Sequence, residues 1–336
     1  MNALLQQMEG VESFCPESTF DIEFVDYEIK DGYCQIQIQF KLRDGFETCR
    51  IDWGDGEPTK ASPTATAWHN YSNAGRYRVR IGEGAKWWRL WNGYTVDSKG
   101  KVYVSRPQVF PRRWGDFLES ASGTYCGWSD DDHGGVQGPL PPWGKSMTSV
   151  FCCWQYCRDV TGGFPAWTDA ITDATGAFDH CGKLAGKVPE WGRNIVKASQ
   201  TYSDCPGATG PFPAWPRGLT ECAKCYKNAT GMRGEIPAWP SGAGDISSCF
   251  EGATGARGII PAWPECVTDV SRCYFGCRGL VDAWTHEPTL LMPEEKVRYA
   301  PDSDYYRCYE VVTGCADSLR ALFWDRNWGG TIPRPE

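Results

Sequence analysis

Six Pro-x-Trp triplets recur in this chain at a fixed spacing of 24 residues. Their tryptophans are Trp143, Trp167, Trp191, Trp215, Trp239 and Trp263. A fixed period of about 20 to 50 residues is typical of stacked structural units, none of which can bury its apolar face alone. The sequence therefore predicts a solenoid of 24-residue turns over residues 114–284, an architecture that favours binding functions.

The sequence between the triplets also repeats, and its positions are counted here from each tryptophan as zero. Positions +4, +7 and +17 are small or apolar, position +11 is aromatic in every copy, and +10 and +14 are small. This apolar spacing of three to four residues predicts one or two helical turns per repeat. A glycine at +19 and an apolar residue at +21 then predict a short extended segment that pairs with its equivalents in neighbouring turns.

One repeat carries the clearest family resemblance. The run V-T-D-V-S-R-C-Y-F-G-C-R-G-L at residues 267–280 resembles the BspA-type leucine-rich repeat of bacterial surface proteins, whose pattern is roughly V-T-x-[MI]-x-x-[MA]-F-x-x-C-x-x-L. The resemblance covers residues 114–284, about half the chain. It implies a leucine-rich-repeat-like solenoid used in adhesion and recognition, and it transfers no single site residue. The small residues Ala243, Ala253 and Ala256 depart from the pattern and indicate a slimmer core.

The front of the chain has a different pattern. Residues 20–27 and 33–41 alternate apolar and polar side chains as β-strands do, and Asp31-Gly32 predicts a hairpin turn between them. The segments C-R-I-D-W-G-D-G at 49–56, H-N-Y at 69–71 and G-R-Y-R-V at 75–79 resemble the PKD-type immunoglobulin-like domain. The resemblance implies an immunoglobulin-like β-sandwich over residues 15–85.

Within that domain, the Gly-Asp-Gly segment at residues 54–56 is interpreted as a tight turn. Its glycines supply positive φ, and Asp55 is expected to hydrogen-bond the local backbone in preference to a metal or catalytic role.

The other segments are defined by turn signals and by their position. Residues 86–113, with Asn92-Gly93 and a second turn signal at 98–100, predict a β-meander linker. Residues 1–14 form an amino-terminal arm with one apolar helical face, which either docks or frays. Residues 285–336 are expected to cap the solenoid. The fold class is thus mainly β with short helices.

Composition and charge exclude several functions. The chain has 336 residues and a net charge of −8, which argues against a nucleic-acid surface. No segment of about 18 apolar residues and no secretory signal is visible, so membrane insertion is not expected. These features predict a virion or an extracellular surface reached without a classical signal peptide, and a cytoplasmic location stays open.

Cysteine is frequent, with 17 residues. Most lie at positions +7, +10 or +14, where cysteine acts as a small buried side chain. Stacked turns would bring equivalent cysteines to about 4.8 Å, yet parallel Cβ vectors disfavour the torsion of a disulfide. We expect free thiols and no metal site, because the cysteine pairs at 153 and 157 and at 273 and 277 have no zinc-ligand partners nearby.

The sequence contains few candidates for catalytic residues. None of the four histidines lies in a nucleophile elbow, a zinc-protease motif or a phosphate loop. His180 and Cys181 are adjacent, but the repeat register points Cys181 into the core. The loop at residues 130–132 could hold calcium, although a solvated acidic loop is the simpler interpretation. The chain is therefore not expected to be an enzyme or to need a cofactor.

Two kinds of residue are candidates for binding. The tryptophan column is either a core ladder, which we favour, or a partly exposed platform for sugars. The positions +1 to +3 and +12 to +13 differ from turn to turn, and there Asp179, Arg193, Arg217 and Lys227 are candidates for partner contacts.

The leading hypothesis is a non-enzymatic recognition or adhesion protein whose solenoid binds a protein or glycan on a cell surface. The alternative is a structural or decoration component of a phage virion or tail, which contacts neighbouring virion proteins and in which the amino-terminal domain docks and supports oligomerisation. An enzyme is the third possibility.

Overall fold

The computed structural model describes residues 17–281, except for 25–32, 57–59, 63–65, 97–101, 105–106, 128–134, 260, 262–263, 265, 271 and 278. This part of the chain is mainly β and contains no helix. Nine strands precede the repeats: β1 (Ser18–Phe24), β2 (Tyr33–Leu42), β3 (Cys49–Asp52), β4 (Lys60–Ser62), β5 (Thr66–Tyr71), β6 (Gly75–Ile81), β7 (Ala85–Val96), β8 (Val102–Val104) and β9 (Gln108–Arg113). Seven short strands follow: β10 (Gln137–Pro139), β11 (Asp159–Thr161), β12 (Gly186–Lys187), β13 (Ala208–Thr209), β14 (Gly234–Glu235), β15 (Ala256–Ile259) and β16 (Gly279–Val281).

The first nine strands form two antiparallel sheets whose buried faces contact each other. The five-stranded sheet has the order β4-β3-β6-β1-β9, and the four-stranded sheet has the order β5-β2-β7-β8. Apolar side chains alternate along β1 and β2 and are buried. The ring of Phe20 in β1 lies 5.4 Å from that of Trp88 in β7, and Phe24 lies 5.0 Å from Tyr71 in β5. The strands predicted near residues 20 and 33 are therefore confirmed.

The predicted hairpin between these two strands is wrong. β1 pairs with β6 and β9, whereas β2 pairs with β5 and β7, so the two strands lie in different sheets. The physical reason is burial: each strand has one apolar face, and placing the strands in opposite sheets lets these faces cover each other. Asp31-Gly32 lies outside the described residues.

Residues 86–113, predicted as a β-meander linker, supply β8, β9 and most of β7. β7 pairs with β8 as a meander requires, but β7 also pairs with β2, and β9 pairs with β1. The turn predicted at Asn92-Gly93 is wrong, because β7 continues through both residues. The register shifts there, with Gln35 opposite Tyr94 and Gln37 opposite Trp91. Asn92-Gly93 thus forms a β-bulge, which strand pairing tolerates.

The tight turn after β3 has the predicted glycine conformation. Gly54 has φ of 80°, and a Cβ atom there would meet the carbonyl oxygen of Arg78. The Asp52 carboxylate bonds the local backbone, with Oδ1 accepting from the Gly54 amide at 3.0 Å. Oδ2 of Asp55 lies 2.6 Å from His69 Nε2. The Asp55 carboxylate is therefore also directed toward the buried imidazole, a contact that was not predicted from the sequence.

Each repeat crosses from +7 to +14 as a series of turns. Positions +9 and +13 have φ between 49° and 80° in all six copies, and a left-handed residue every four positions interrupts an α-helix. The amides at +7, +9, +11 and +13 donate to carbonyls of the next repeat, as Trp154 donates to Ala177 at 3.0 Å. The amides at +10 and +14 donate three residues back. The predicted helical turns are therefore wrong, because hydrogen bonds between repeats replace those within a helix.

The short strands of the repeats pair in parallel, which confirms the predicted extended segments. β10 pairs with β11, β12 with β13, and β14 with β15 and then β16. Partners in these strands are 22 residues apart, as in Gly186 with Ala208. At +6, by contrast, partners are 24 residues apart, as in Asp173 with Lys197. Consecutive repeats are thus staggered on one side and in register on the other.

The two amino-terminal sheets continue directly into the repeats. Trp87 of β7 bridges Ser120 in parallel, and Ser120 bridges Ser149 of the first full repeat. On the other side, Val109 of β9 bridges Val136 next to β10. The sheets thereby supply a backbone partner to both sides of the first turn.

Two columns of aromatic rings run through the core of the repeats. Neighbouring rings of the tryptophan column are 5.6 to 6.4 Å apart from Trp114 to Trp239. The +11 column runs beside it, with rings 5.5 to 6.0 Å apart from Phe178 to Tyr274. These stacked contacts add to the free energy gained from burying the rings.

The two columns are also joined by hydrogen bonds 35 residues apart. Trp167 Nε1 donates to Tyr202 Oη at 2.9 Å, and Trp239 Nε1 donates to Tyr274 Oη at 3.1 Å. Where the +11 residue is phenylalanine, as at Phe250, the buried indole nitrogen of Trp215 has no partner among the described residues. Trp191 and Tyr226 have the same spacing but do not meet hydrogen-bond geometry.

Exchanging these residues should change stability in opposite directions. Tyr202→Phe leaves the Trp167 nitrogen unpaired, and we expect it to cost about 1 to 2 kcal/mol. Phe250→Tyr offers an acceptor to Trp215, and we expect a gain of up to about 1 kcal/mol. Urea unfolding of both variants measures the difference, and equal effects of the same sign would contradict it.

No helix long and apolar enough to cross a membrane occurs in the described part of the chain. The predicted arm at 1–14, the acidic loop at 130–132 and the cap at 285–336 lie outside the described residues.

Candidate functional site

The structure places the tryptophan column in the core. Trp143, Trp191, Trp215 and Trp239 are 5% to 9% exposed, and Trp167 is partly buried against the same core. Trp263 lies outside the described residues. Stacked faces of the rings are covered by the neighbouring repeats, so they offer little area to a sugar. The core interpretation, which the sequence analysis favoured, therefore agrees with the geometry.

The charged candidates occupy two separate columns of the repeats. Arg193 and Arg217 lie at +2 and are exposed. Arg193 Nε donates to Asp169 Oδ2 at 2.9 Å, a carboxylate at +2 of the preceding repeat, and the hydrogen bonds from Arg193 lower the pKa of Asp169. Because both partners are exposed, this pair adds little stability.

Lys227 and Asp179 lie at +12, and neither is fully exposed. Lys227 Nζ is 3.7 Å from a carboxylate oxygen of Glu251, and its side chain is 30% exposed. Asp179 is buried, with 1% exposure. The expectation that Asp179 displays a charge to a partner is therefore wrong, because its carboxylate is enclosed by side chains of the neighbouring repeats.

Asp179 belongs to a polar network that was not predicted from the sequence. Gln155 Nε2 donates to Asp179 Oδ2 at 3.0 Å, and His180 Nδ1 lies 2.7 Å from Asp179 Oδ1. On the next repeat, Asp204 Oδ2 lies 3.7 Å from His180 Nε2. Asn228 Nδ2 donates to Asp204 Oδ1 at 2.8 Å. The network links four consecutive repeats along the +12 and +13 positions.

The network continues as ion pairs in the last described repeats. Arg272 donates to Glu251 Oε1 at 2.6 Å. Burial raises the pKa of the Glu251 carboxyl. Hydrogen bonds from Arg272 and Ser248 and the charge of the nearby Lys227 lower this pKa by more, so its net shift is downward. Glu251 is therefore held as a carboxylate between two cations.

The residues that could hold a metal ion are Asp179, His180 and Asp204. Their ligand atoms all lie within 4.8 Å of one another, and carboxylate and imidazole suit several divalent ions. Each of the three groups already has a partner in the protein. The same residues therefore also form a hydrogen-bonded network, and this network holds adjacent repeats in register.

His180 and Cys181 are not brought together as a nucleophilic pair. Cys181 is buried, and its Sγ donates to the Trp154 carbonyl at 3.0 Å. Burial raises the pKa of its thiol well above the usual value, so it stays protonated and unreactive. The His180 ring is directed to the carboxylates of Asp179 and Asp204, which agrees with the predicted inward position of Cys181.

The other cysteines at +14 make the same bond. Cys157, Cys205 and Cys277 each donate to a carbonyl 27 or more residues earlier, at 2.9 to 3.0 Å. Thirteen cysteines in the described part of the chain carry free thiols. The buried cysteines at +14 fill space between repeats and donate to buried carbonyl groups.

The exposed aromatic residues were not predicted from the sequence. Trp68 on β5 is 49% exposed and Phe151 at +8 is 45% exposed. Strand parity could have identified Trp68, since the H-N-Y segment has His69 and Tyr71 facing inward.

Comparisons with protein-family models, with curated proteins and with solved structures each gave no match.

Proposed function

We propose that this chain is a non-enzymatic recognition protein. In this proposal the repeats form a leucine-rich-repeat-like solenoid, and the two amino-terminal sheets form an immunoglobulin-like sandwich of the PKD type that ends the stack. The partner is a protein or a glycan on a cell surface.

The observation that carries the proposal is the separation of constant and variable positions. The +4, +7 and +11 residues keep their apolar or aromatic type and are buried in every described copy. The +2 residues are exposed in every described copy, and they change charge from turn to turn: Lys145, Asp169, Arg193, Arg217 and Ser241. A surface that varies over a constant scaffold is suited to recognition of one partner.

The proposal is tested with the purified full chain on an array of immobilised glycans and surface proteins. We expect saturable binding to at least one member. The double variant Arg193→Glu/Arg217→Glu should change that binding by at least about tenfold without lowering the melting temperature, because both side chains are exposed and rim charges govern encounter and specificity.

The matched control is Glu47→Lys, which reverses an exposed charge in the loop between β2 and β3. It should leave both binding and melting temperature unchanged. Binding to no member of the array, or release of sugar or peptide products from a bound member, would refute a non-enzymatic recognition role.

A structural component of a virion is the second candidate. The observation that favours it is the shared core at the junction, where the Trp88 ring lies 5.9 Å from Trp114 and 5.4 Å from Tyr125. Such a core joins an attachment module firmly to a projecting stack. Capsid and tail genes beside the gene of this chain, together with self-assembly of the purified protein, would favour this role over adhesion.

A further inference from the structure

We propose that the outer face of the four-stranded sheet, continued by the first two turns of the repeats, binds a glycan chain. The inference rests on the proposed recognition function and adds to it a second binding site, one for glycans. The face contains none of the residues that were predicted from the sequence as binding sites.

Strand parity assembles this face. Burial alternates along β2 and β5, so every second side chain points away from the core. In register across the sheet, Gln37 is opposite Trp68, and Lys41 is opposite Trp87. The outward residues are Gln35, Gln37, Gln39 and Lys41 of β2, Thr66, Trp68 and Asn70 of β5, and Trp87 and Arg89 of β7.

The face does not end at β7. The bridges from Trp87 to Ser120 and from Ser120 to Ser149 add two further strand positions. The Trp87 indole donates to the Ser122 carbonyl at 2.7 Å, and the hydroxyls of Ser122 and Ser149 are 2.9 Å apart. Phe151 follows Ser149 by two residues, so it points to the same side.

Both large apolar side chains that are exposed in the described part of the chain, Trp68 and Phe151, lie on this one face. Four strand spacings of about 4.8 Å separate β5 from the turn of Phe151, so the two rings are about 19 Å apart across the strands. Trp87 lies midway across the strands but about 13 Å further along them, because it is opposite Lys41 whereas Trp68 is opposite Gln37, four residues away on β2. The three rings are therefore spread over the face at separations within the length of a short oligosaccharide.

Polar groups fill the spaces between the rings. Gln35 Nε2 donates to Asn70 Oδ1 at 2.9 Å, and the Lys41 ammonium lies 5.5 Å from the Trp87 ring. Beside Trp87 is a cavity of about 330 Å³, lined by Lys41, Lys86, Trp87, Glu119, Ser120 and Ser122. This volume is at the lower end of the range for small-ligand sites.

This chemistry fits a glycan better than a protein. Flat aromatic faces pack on the apolar C–H faces of sugar rings, while amides, hydroxyls and ammonium groups hydrogen-bond the sugar hydroxyls. A protein interface of this size would have a contiguous apolar centre depleted of Lys and Glu. Here single rings alternate with polar side chains across an extended surface.

The test uses the full chain with three defined probes: hexamers of chitin, of cellulose and of the uronate polymer alginate. Isothermal titration is performed on the native protein, on Trp68→Ala, on Phe151→Ala and on Arg193→Glu/Arg217→Glu. We expect at least one probe to bind, and each aromatic variant to weaken its Kd by about tenfold. The melting temperature should not change, because both rings are exposed. The alginate arm distinguishes an acidic from a neutral sugar beside Lys41.

Two outcomes would overturn the inference while leaving the recognition function in place. One is binding of a hexamer that both aromatic variants retain, whether or not the arginine variant loses it. The other is binding of the chain to proteins alone on the array, while it binds none of the three hexamers and no arrayed glycan. Failure of the recognition function itself is different, because then neither glycans nor proteins bind to the folded native chain.

Discussion

Replacing Trp215 with alanine is expected to lower the free energy of unfolding by about 3 to 5 kcal/mol, the usual range for losing a buried tryptophan. Its ring stacks between Trp191 at 6.1 Å and Trp239 at 5.6 Å and is 8% exposed. The substitution leaves a cavity that three repeats share, and the backbone bonds between repeats limit how far it can collapse. Urea unfolding followed by circular dichroism measures the loss.

The control is Trp68→Ala, which removes the same side chain from an exposed position. We expect it to change stability by less than about 0.5 kcal/mol. If Trp215→Ala were as mild as the control and abolished glycan binding, the tryptophan column would be a binding platform after all.

Gly255→Ala is expected to destabilise the protein by at least about 2 kcal/mol, although it adds a single methyl group. Gly255 lies at +16, where a Cβ atom would come closer than 3.0 Å to the carbonyl oxygen of Met232 in the preceding repeat. That oxygen belongs to the backbone, so the two repeats would have to move apart. Gly207 and Gly231 occupy the same position with the same close approach.

Gly218→Ala provides the matched control. No atom lies within 4 Å of a Cβ at this position, and its φ is not positive. We expect a small change, toward higher stability by up to about 1 kcal/mol, because alanine restricts the unfolded chain. Thermal unfolding of the two variants should therefore differ by several degrees, and equal melting temperatures would show that repeats 24 residues apart do not pack this closely.

Much of the repeat organisation followed from the sequence. The 24-residue period and the constant type at +4, +7 and +11 identified the buried columns, since a stack can bury only positions that recur. The glycine at +19 identified the strand segments, and the inward position of Cys181 followed from the same register. In the front part, alternation placed β1 and β2, and the Gly-Asp-Gly segment indicated its turn.

The candidate site was harder to predict. Position +12 varies along the sequence, and variable positions are usually exposed, so Asp179 was assigned to the surface. Its burial depends on Gln155 of the preceding repeat and on the adjacent His180, and both side chains contact the Asp179 carboxylate. Trp68 was overlooked because it belongs to no repeat, although the alternating burial of β5 places it outward.

The sequence by itself determined the period, the buried columns and the positions of most strands, because these depend on side-chain type at fixed spacing. Tertiary structure alone decided which strands pair, where the backbone turns left-handed and which polar side chains are enclosed.

The spacing at +7 to +14 is as suitable for a helix as for a series of turns, and hydrogen bonds to the next repeat select the turns. Likewise, alternation places Trp68 on one side of β5, but only the pairing of β5, β2 and β7 with the first repeats brings it onto one face with Trp87 and Phe151. Periodicity acts along the chain, whereas these choices depend on hydrogen bonds and packing between segments far apart in sequence.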